Sequence, residues 1–179
     1  MPRVRRRSAL VATAALALAC NLGLEPSPAG GVCPSGYVGV CGTVKIRGAI
    51  PDSTDYVLVV AFEQFPQSAA DLFMFQPSPP PRLALGDTVA TYRLPLPAGR
   101  YEWILAVWKK VGLITFSNAD TLLREAGFYR DPNNPGSAGV VAVSGGHSNV
   151  DFVLDFTDMH PVSYWFPPPP GPAPGSASR

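Results

Sequence analysis

Nucleophilic hydrolysis needs a Ser or Cys beside a His and an acid, so such chemistry here must run through a histidine. There are two, His147 and His160. Neither is accompanied by a Gly-x-Ser-x-Gly turn, and Gly136-Ser137-Ala138-Gly139 fails that spacing. Glycoside hydrolysis needs two convergent carboxylates. Glu63 and Glu102 on neighbouring strands are the candidates, with surface charge pairing the simpler account. Calcium ligation by Asp52 and Asp55 competes with turn chemistry, which suits Pro51-Asp52-Ser53-Thr54-Asp55 better. Asp151 and Asp155 share one face by spacing, as the solvent side of any β-layer does. A metal held by Cys33 and Cys41 would have His147 and His160 alone to complete about four ligands. No catalytic residue, metal or cofactor is therefore expected. Aromatic side chains are the remaining chemistry: Trp108, Phe128, Tyr129, Tyr164 and Trp165 are candidates for contacting a sugar or a small ligand. For Trp108, packing under the Phe73–Phe75 segment is the competing account, because large aromatics fill cores.

The cysteines point to a compartment. Met1–Arg7 is a positive segment, and Ala9–Ala19 is an apolar run about half as long as the roughly 20 residues of a spanning helix. That pattern is a secretory signal peptide over residues 1–19. Arg6-Arg7 is a weak twin-arginine feature. Ala17-Leu18-Ala19 satisfies the small-x-small rule of ordinary signal peptidase. Leu18-Ala19-Cys20 resembles a bacterial lipobox, although Ala17 stands where that pattern prefers Leu. There are three cysteines; in an oxidising compartment Cys33 and Cys41 can pair, leaving Cys20 odd. A diacylglyceryl thioether, with fatty acyl chains such as palmitate, would consume that odd thiol and anchor the chain stably.

Charge excludes one partner class. Of 14 Lys and Arg, four lie in the first seven residues; beyond Ala19, 10 face 13 Asp and Glu, a net of −3. No basic patch offers itself to phosphates, so no nucleic acid is expected.

The elements that must position these side chains read as strands. With 21 Pro, 17 Gly and 46% apolar residues in 179, the chain suits one turn-rich all-β domain with appendages. Asn21–Val32 reads as a flexible tether. Gly42–Ile50 alternates as a half-solvated strand, and Tyr56–Glu63 is apolar on both faces, which predicts a central strand covered on both sides. Gln64–Asp87, with Pro77, Pro79, Pro80 and Pro81, predicts a long excursion folding over the sheet with Phe73 and Phe75 as plugs. Asp87–Leu96 leads through Pro97-Ala98-Gly99, a reversal, into Arg100–Trp108. Tyr101, Trp103, Leu105 and Val107 then share one face. Val111–Phe116 reads as a short strand, and Ser117-Asn118-Ala119-Asp120 as a capping box before a helical turn or two. Gly127–Arg130 leads into the turn-rich Asp131–Gly136. Val140–Val143 and Asn149–Phe156 close the sheet, with Val150, Phe152, Leu154 and Phe156 inward. Pro167–Pro170 predicts polyproline II, either an extended tail or a ligand for an aromatic groove.

With the strands placed, Gly42-x-Val44, Leu96-Pro97-Ala98-Gly99-Arg100-Tyr101, and Gly145-Gly146 before Val150-Asp151-Phe152 carry a likeness. Residues 42–156 resemble the carboxypeptidase-regulatory-like, or transthyretin-like, β-sandwich domains. The resemblance implies a single Greek-key, Ig-like sandwich of roughly seven strands and an accessory role, with no catalytic residues. The Gln64–Asp87 excursion and the insert near Asp120 depart from that family, where extra binding surface could be added. The expected organisation is a signal peptide (1–19), a lipidated tether with a disulfide loop (20–41), the sandwich (42–158) and a Pro-rich disordered tail (159–179). The expected function is that of a non-catalytic, membrane-anchored lipoprotein of the bacterial cell envelope, at the outer membrane, binding another envelope protein or a glycan. The alternative is a secreted sandwich that binds carbohydrate or a small ligand.

Overall fold

The computed structural model of the protein describes residues 32–147 and 149–167. The strands in chain order are β1 (Gly39–Arg47), β2 (Thr54–Phe62), β3 (Val89–Pro95), β4 (Gly99–Tyr101), β5 (Trp103–Lys110) and β6 (Leu123–Phe128). They continue as β7 (Arg130–Asp131), β8 (Asn134–Ala138), β9 (Val141–Val143), β10 (Gly146–His147), β11 (Phe152–Asp155) and β12 (His160–Pro161). Short helical turns occupy Ala69–Phe73, α1 (Ala119–Leu122) and α2 (Val162–Trp165). The protein is all-β, as its alternating pattern predicts.

Two four-stranded sheets hold the core between their side chains. In the first, β1 pairs antiparallel with β3 on one edge and parallel with β10 and then β11 on the other. In the second, the order is β12-β6-β5-β2. Val40 and Val44 of β1, Tyr92 and Leu94 of β3, and Leu154 of β11 meet Val57 and Val59 of β2 and Ile104 of β5 in one cluster. Val150, Phe152, Leu154 and Phe156 are all buried, as the period-two spacing requires. Gly42 is where β1 passes beneath the start of this run. A Cβ there would stand 2.1 Å from the Val150 carbonyl oxygen, so only glycine fits. Cys33 and Cys41 are joined by a disulfide.

Several elements differ from the sequence reading. β1 begins at Gly39, inside the loop between Cys33 and Cys41, and not at Gly42. β2 is apolar on both faces but is the edge of its sheet, not a central strand. Its free edge is closed by the excursion: Gln76 N–H donates to Ala61 O (2.8 Å) and Leu83 N–H to Val57 O (2.8 Å). These donors flank the proline run, which has none to give. Pro97–Gly99 does not close a hairpin. β3 pairs with β1 in the first sheet, while β4 pairs with β9 and β5 joins the second sheet. The strand therefore breaks at Glu102, and Tyr101 enters the main core while Trp103 enters a second cluster. Val111–Phe116 is not a strand. β6 is one: it lies between β5 and β12 where the sequence predicts helix and turn. Asp120 does not cap α1; its Oδ1 accepts from Ser163 N–H of α2 at 2.7 Å. Residues 160–165, read as part of the tail, form β12 and α2 on the second sheet.

Candidate functional site

The outer face of β2 and β5 is apolar because these strands carry hydrophobic residues at consecutive positions, not alternate ones, and β6 adds Phe128 to it. Val60 and Phe62 of β2, Trp103 and Leu105 of β5, and Phe128 of β6 form a second cluster, with Leu58 and Val107 packed against it. Three segments stand around this floor. The excursion brings Leu72, Phe73, Phe75 and Pro80; the stretch after β5 brings Ile114 and Leu123; the C-terminal segment brings Val162, Trp165 and Phe166. Between them lies a cleft of about 340 Å3. The walls are tied to one another. The Phe73 and Phe116 rings meet edge-on at 4.6 Å, Asp120 holds the Ser163 amide, and the Phe65 and Trp165 rings meet at 6.0 Å.

The cleft holds few polar groups. The Glu125 side chain is 5% exposed, and its Oε2 is 2.9 Å from His160 Nδ1. Burial pushes the Glu125 carboxyl up from its ordinary value, opposed by the hydrogen bond from His160 and by the Gly127 amide. Arg124 donates through Nη1 to the Leu123 carbonyl (2.9 Å) and to the Asp120 carbonyl. The indole N–H groups of Trp103 and Trp165 are buried and have no hydrogen-bond partner among the described residues. Such groups are rare, because a buried donor without a partner destabilises by about 1–3 kcal/mol. On the other side of the Glu125–His160 pair lies a polar groove of about 410 Å3 between β6 and β11, bordered by Arg47, Arg130, Asp151 and Asp155.

The aromatic candidates fall into two places. Trp165 lines the cleft, and Phe128 meets its ring edge-on at 5.9 Å with the Arg130 guanidinium 4.3 Å from the Phe128 ring centre. Tyr164 is exposed and stacks on His160 at 4.1 Å. Trp108 is in the main core and donates its N–H to Thr54 Oγ1 (2.7 Å), so it presents no free face. It packs there, and not beneath the Phe73–Phe75 segment. Tyr129 leans on the same core. Trp103, Arg124, Glu125 and His160 were not singled out as ligand contacts by sequence, although the unusual length of the Gln64–Asp87 excursion points to the face they share.

The carboxylate candidates have local partners. Glu102 accepts the Phe65 amide (3.1 Å) and pairs with Arg100, which together hold it below its usual value. Asp55 pairs with Lys109 at 2.6 Å, and Asp151 accepts from both the amide and the hydroxyl of Thr43 at 2.6 and 2.7 Å. Among the described residues no group of three or more His, Cys, Asp or Glu is placed to hold a metal. Among them, too, no helix is long and apolar enough to cross a membrane. Cys20, the candidate lipid-attachment residue, lies outside the described residues. No family model, no curated protein and no solved structure matches the chain.

Proposed function

We propose that the protein is an exported lipoprotein of the bacterial cell envelope, anchored through Cys20, whose β-module binds a small, largely apolar ligand without transforming it. The cleft on β2, β5 and β6 carries this reading. Its volume lies within the roughly 300–1,000 Å3 of small-molecule sites, and such sites combine apolar walls with a few fixed polar groups. The bond between Cys33 and Cys41 supports an oxidising compartment and leaves Cys20 as the odd thiol. The shared core of two sheets supports a transthyretin-like Greek-key sandwich. So does the Tyr101 hydroxyl, which donates to the Pro97 carbonyl (3.1 Å) as Greek-key sandwiches do at a corner. The excursion and the insert, which depart from that family's pattern, are then the walls of the site. Catalysis has little support, because no Ser or Cys lines the cleft beside the Glu125–His160 pair.

Val107 is half-buried in the floor of the cleft, so Val107→Trp fills the cleft with little disturbance of the core. The full chain is expected to bind an environment-sensitive apolar dye, and Val107→Trp to abolish that binding with little change in melting temperature. Dye binding that survives the substitution would exclude the cleft as the site. Cys20→Ser is expected to move the protein from the membrane fraction to the soluble one; unchanged partitioning with detergent would exclude the anchor.

A further inference from the structure

We infer that the open edge of β3 pairs antiparallel with the β3 edge of a second copy of this chain, about a two-fold axis at Thr91, so that the first sheets of two molecules become one. The inference is independent of the cleft.

Two other long edges of the main sheets are covered. The excursion bonds along β2, and β11 meets β6 where Gly127 passes the Val153 carbonyl. The edge of β3 is bare. Ile46 of β1 donates to Thr88 O at 2.8 Å, and the register runs on without a bulge. Ala90, Tyr92 and Leu94, at the same parity as Thr88, therefore turn their N–H and C=O groups towards β1. Val89, Thr91 and Arg93 turn theirs the other way, and among the described residues these groups have no hydrogen-bond partner. Their side chains are exposed. A straight, unpaired edge of this kind is a template for another strand.

The edge is complementary to itself. Pairing centred at Thr91 sets that residue opposite the partner's Thr91, and Val89 opposite the partner's Arg93. Every outward N–H of both strands then meets a carbonyl, and Pro95, which has no N–H to lose, falls at the end of the ladder. Thr opposite Thr, and Val against the apolar stem of Arg, are favourable cross-strand pairs. Arg93 also comes diagonal to the partner's Asp87, within reach of a long side chain. Among the described residues neither Arg93 nor Asp87 has an ion-pair partner in the single chain. The two arginines stand four positions apart along the ladder, about 14 Å, where salt screens them. Centred instead at Tyr92, the pairing would make the two arginines diagonal neighbours, which repel. The charges thus suit a second copy, in this register.

The test uses the full chain carrying Cys20→Ser, recovered without detergent. One strand edge buries little area, so sedimentation should show a weak dimer that grows between about 10 μM and 1 mM protein. Thr91→Cys should cross-link two copies under mild oxidation, because opposed residues of this bonded type lie about 5.5 Å apart at Cα, within the span of a disulfide. Arg93→Cys sets its thiols about 14 Å apart and should stay uncross-linked. Thr91→Pro removes an N–H that β1 does not use, so it should weaken the dimer about tenfold with little change in melting temperature. Should it lower the melting temperature, Arg93→Glu is the second variant: it should weaken the dimer about threefold, and adding Asp87→Arg should restore it. A chain that stays monomeric throughout, equal cross-linking through Thr91→Cys and Arg93→Cys, or a dimer indifferent to both Thr91→Pro and Arg93→Glu would overturn the pairing.

Discussion

A buried ammonium tolerates folding only if each of its protons is placed. Lys109 is 5% exposed and donates to Asp55 Oδ2 (2.6 Å), Lys110 O (3.1 Å) and Gly112 O (2.7 Å). Asp55→Ala leaves the charge with two carbonyls. We expect a loss of about 1–3 kcal/mol in urea unfolding, towards the lower end because Asp55 is itself 38% exposed in its side chain. Adding Lys109→Met should recover part of the loss, and no recovery would show that the pair is not coupled. Glu125 is the opposite case, a carboxyl whose folded value is raised chiefly by burial. The native state therefore keeps its proton longer than the unfolded chain does. The stability this contributes is present below the unfolded value of about 4.3 and declines as pH rises through the folded value. Relative to Glu125→Gln, the wild type should lose stability as pH rises from the unfolded value through the raised folded one; a difference constant with pH would refute the assignment. Lys109 and Asp55 were legible as charged residues beside a strand and a turn, but their pairing across 54 positions was not. Glu125 was illegible for another reason: Leu123-Arg124-Glu125-Ala126-Gly127-Phe128 lacks the alternation of a strand, and His160 supplies what makes a buried acid tolerable there.

Local alternation identifies an element only where its partners are of one kind throughout. β11 met that condition, and its inward residues were read correctly. From Arg100 to Trp108 both faces are apolar, and Glu102 separates two strands that serve different sheets. The cause is tertiary: the Glu102 amide donates to Phe62 O (2.9 Å) and its side chain holds the Phe65 amide, so the backbone turns there. β6 shows how sheets are brought together at their edges. Gly127 has φ of +148°, and a Cβ at that position would stand 1.9 Å from the Val153 carbonyl oxygen of β11. Both the dihedral and the contact exclude a side chain. Gly127→Ala should destabilise by about 2–4 kcal/mol, measured by thermal and denaturant unfolding. Wild-type stability in that variant would mean that β6 and β11 do not approach as described. The glycine is visible in the sequence, but its reason lies in a strand 26 residues further on.

At the scale of the molecule the cleft is a product of three distant segments on one apolar sheet face. Composition and periodicity disclosed the all-β class and the apolar second face of β2, because those depend on neighbouring residues alone. The convergence of the excursion, the α1 region and the C-terminal segment depends on topology, and that is why Trp103 and Trp165 were not read as partners. The C-terminal segment is the informative wall, since the sequence placed the domain limit at residue 158 and the structure carries it through α2. Its contribution is almost wholly to the second cluster: Trp165 meets Trp103, Phe65 and Phe128 at 5.4, 6.0 and 5.9 Å, while among the described residues beyond 158 the main core draws on Met159 alone. A chain ending at Asp158 should therefore retain its β circular dichroism, because the main core and both sheets' longer strands remain. It should melt at lower temperature and bind an apolar fluorescent dye more strongly than the full chain, with Trp103 and Phe128 uncovered. Full retention of melting temperature would show that α2 does not cover the sheet, and loss of all β signal would show that the two clusters fold as one.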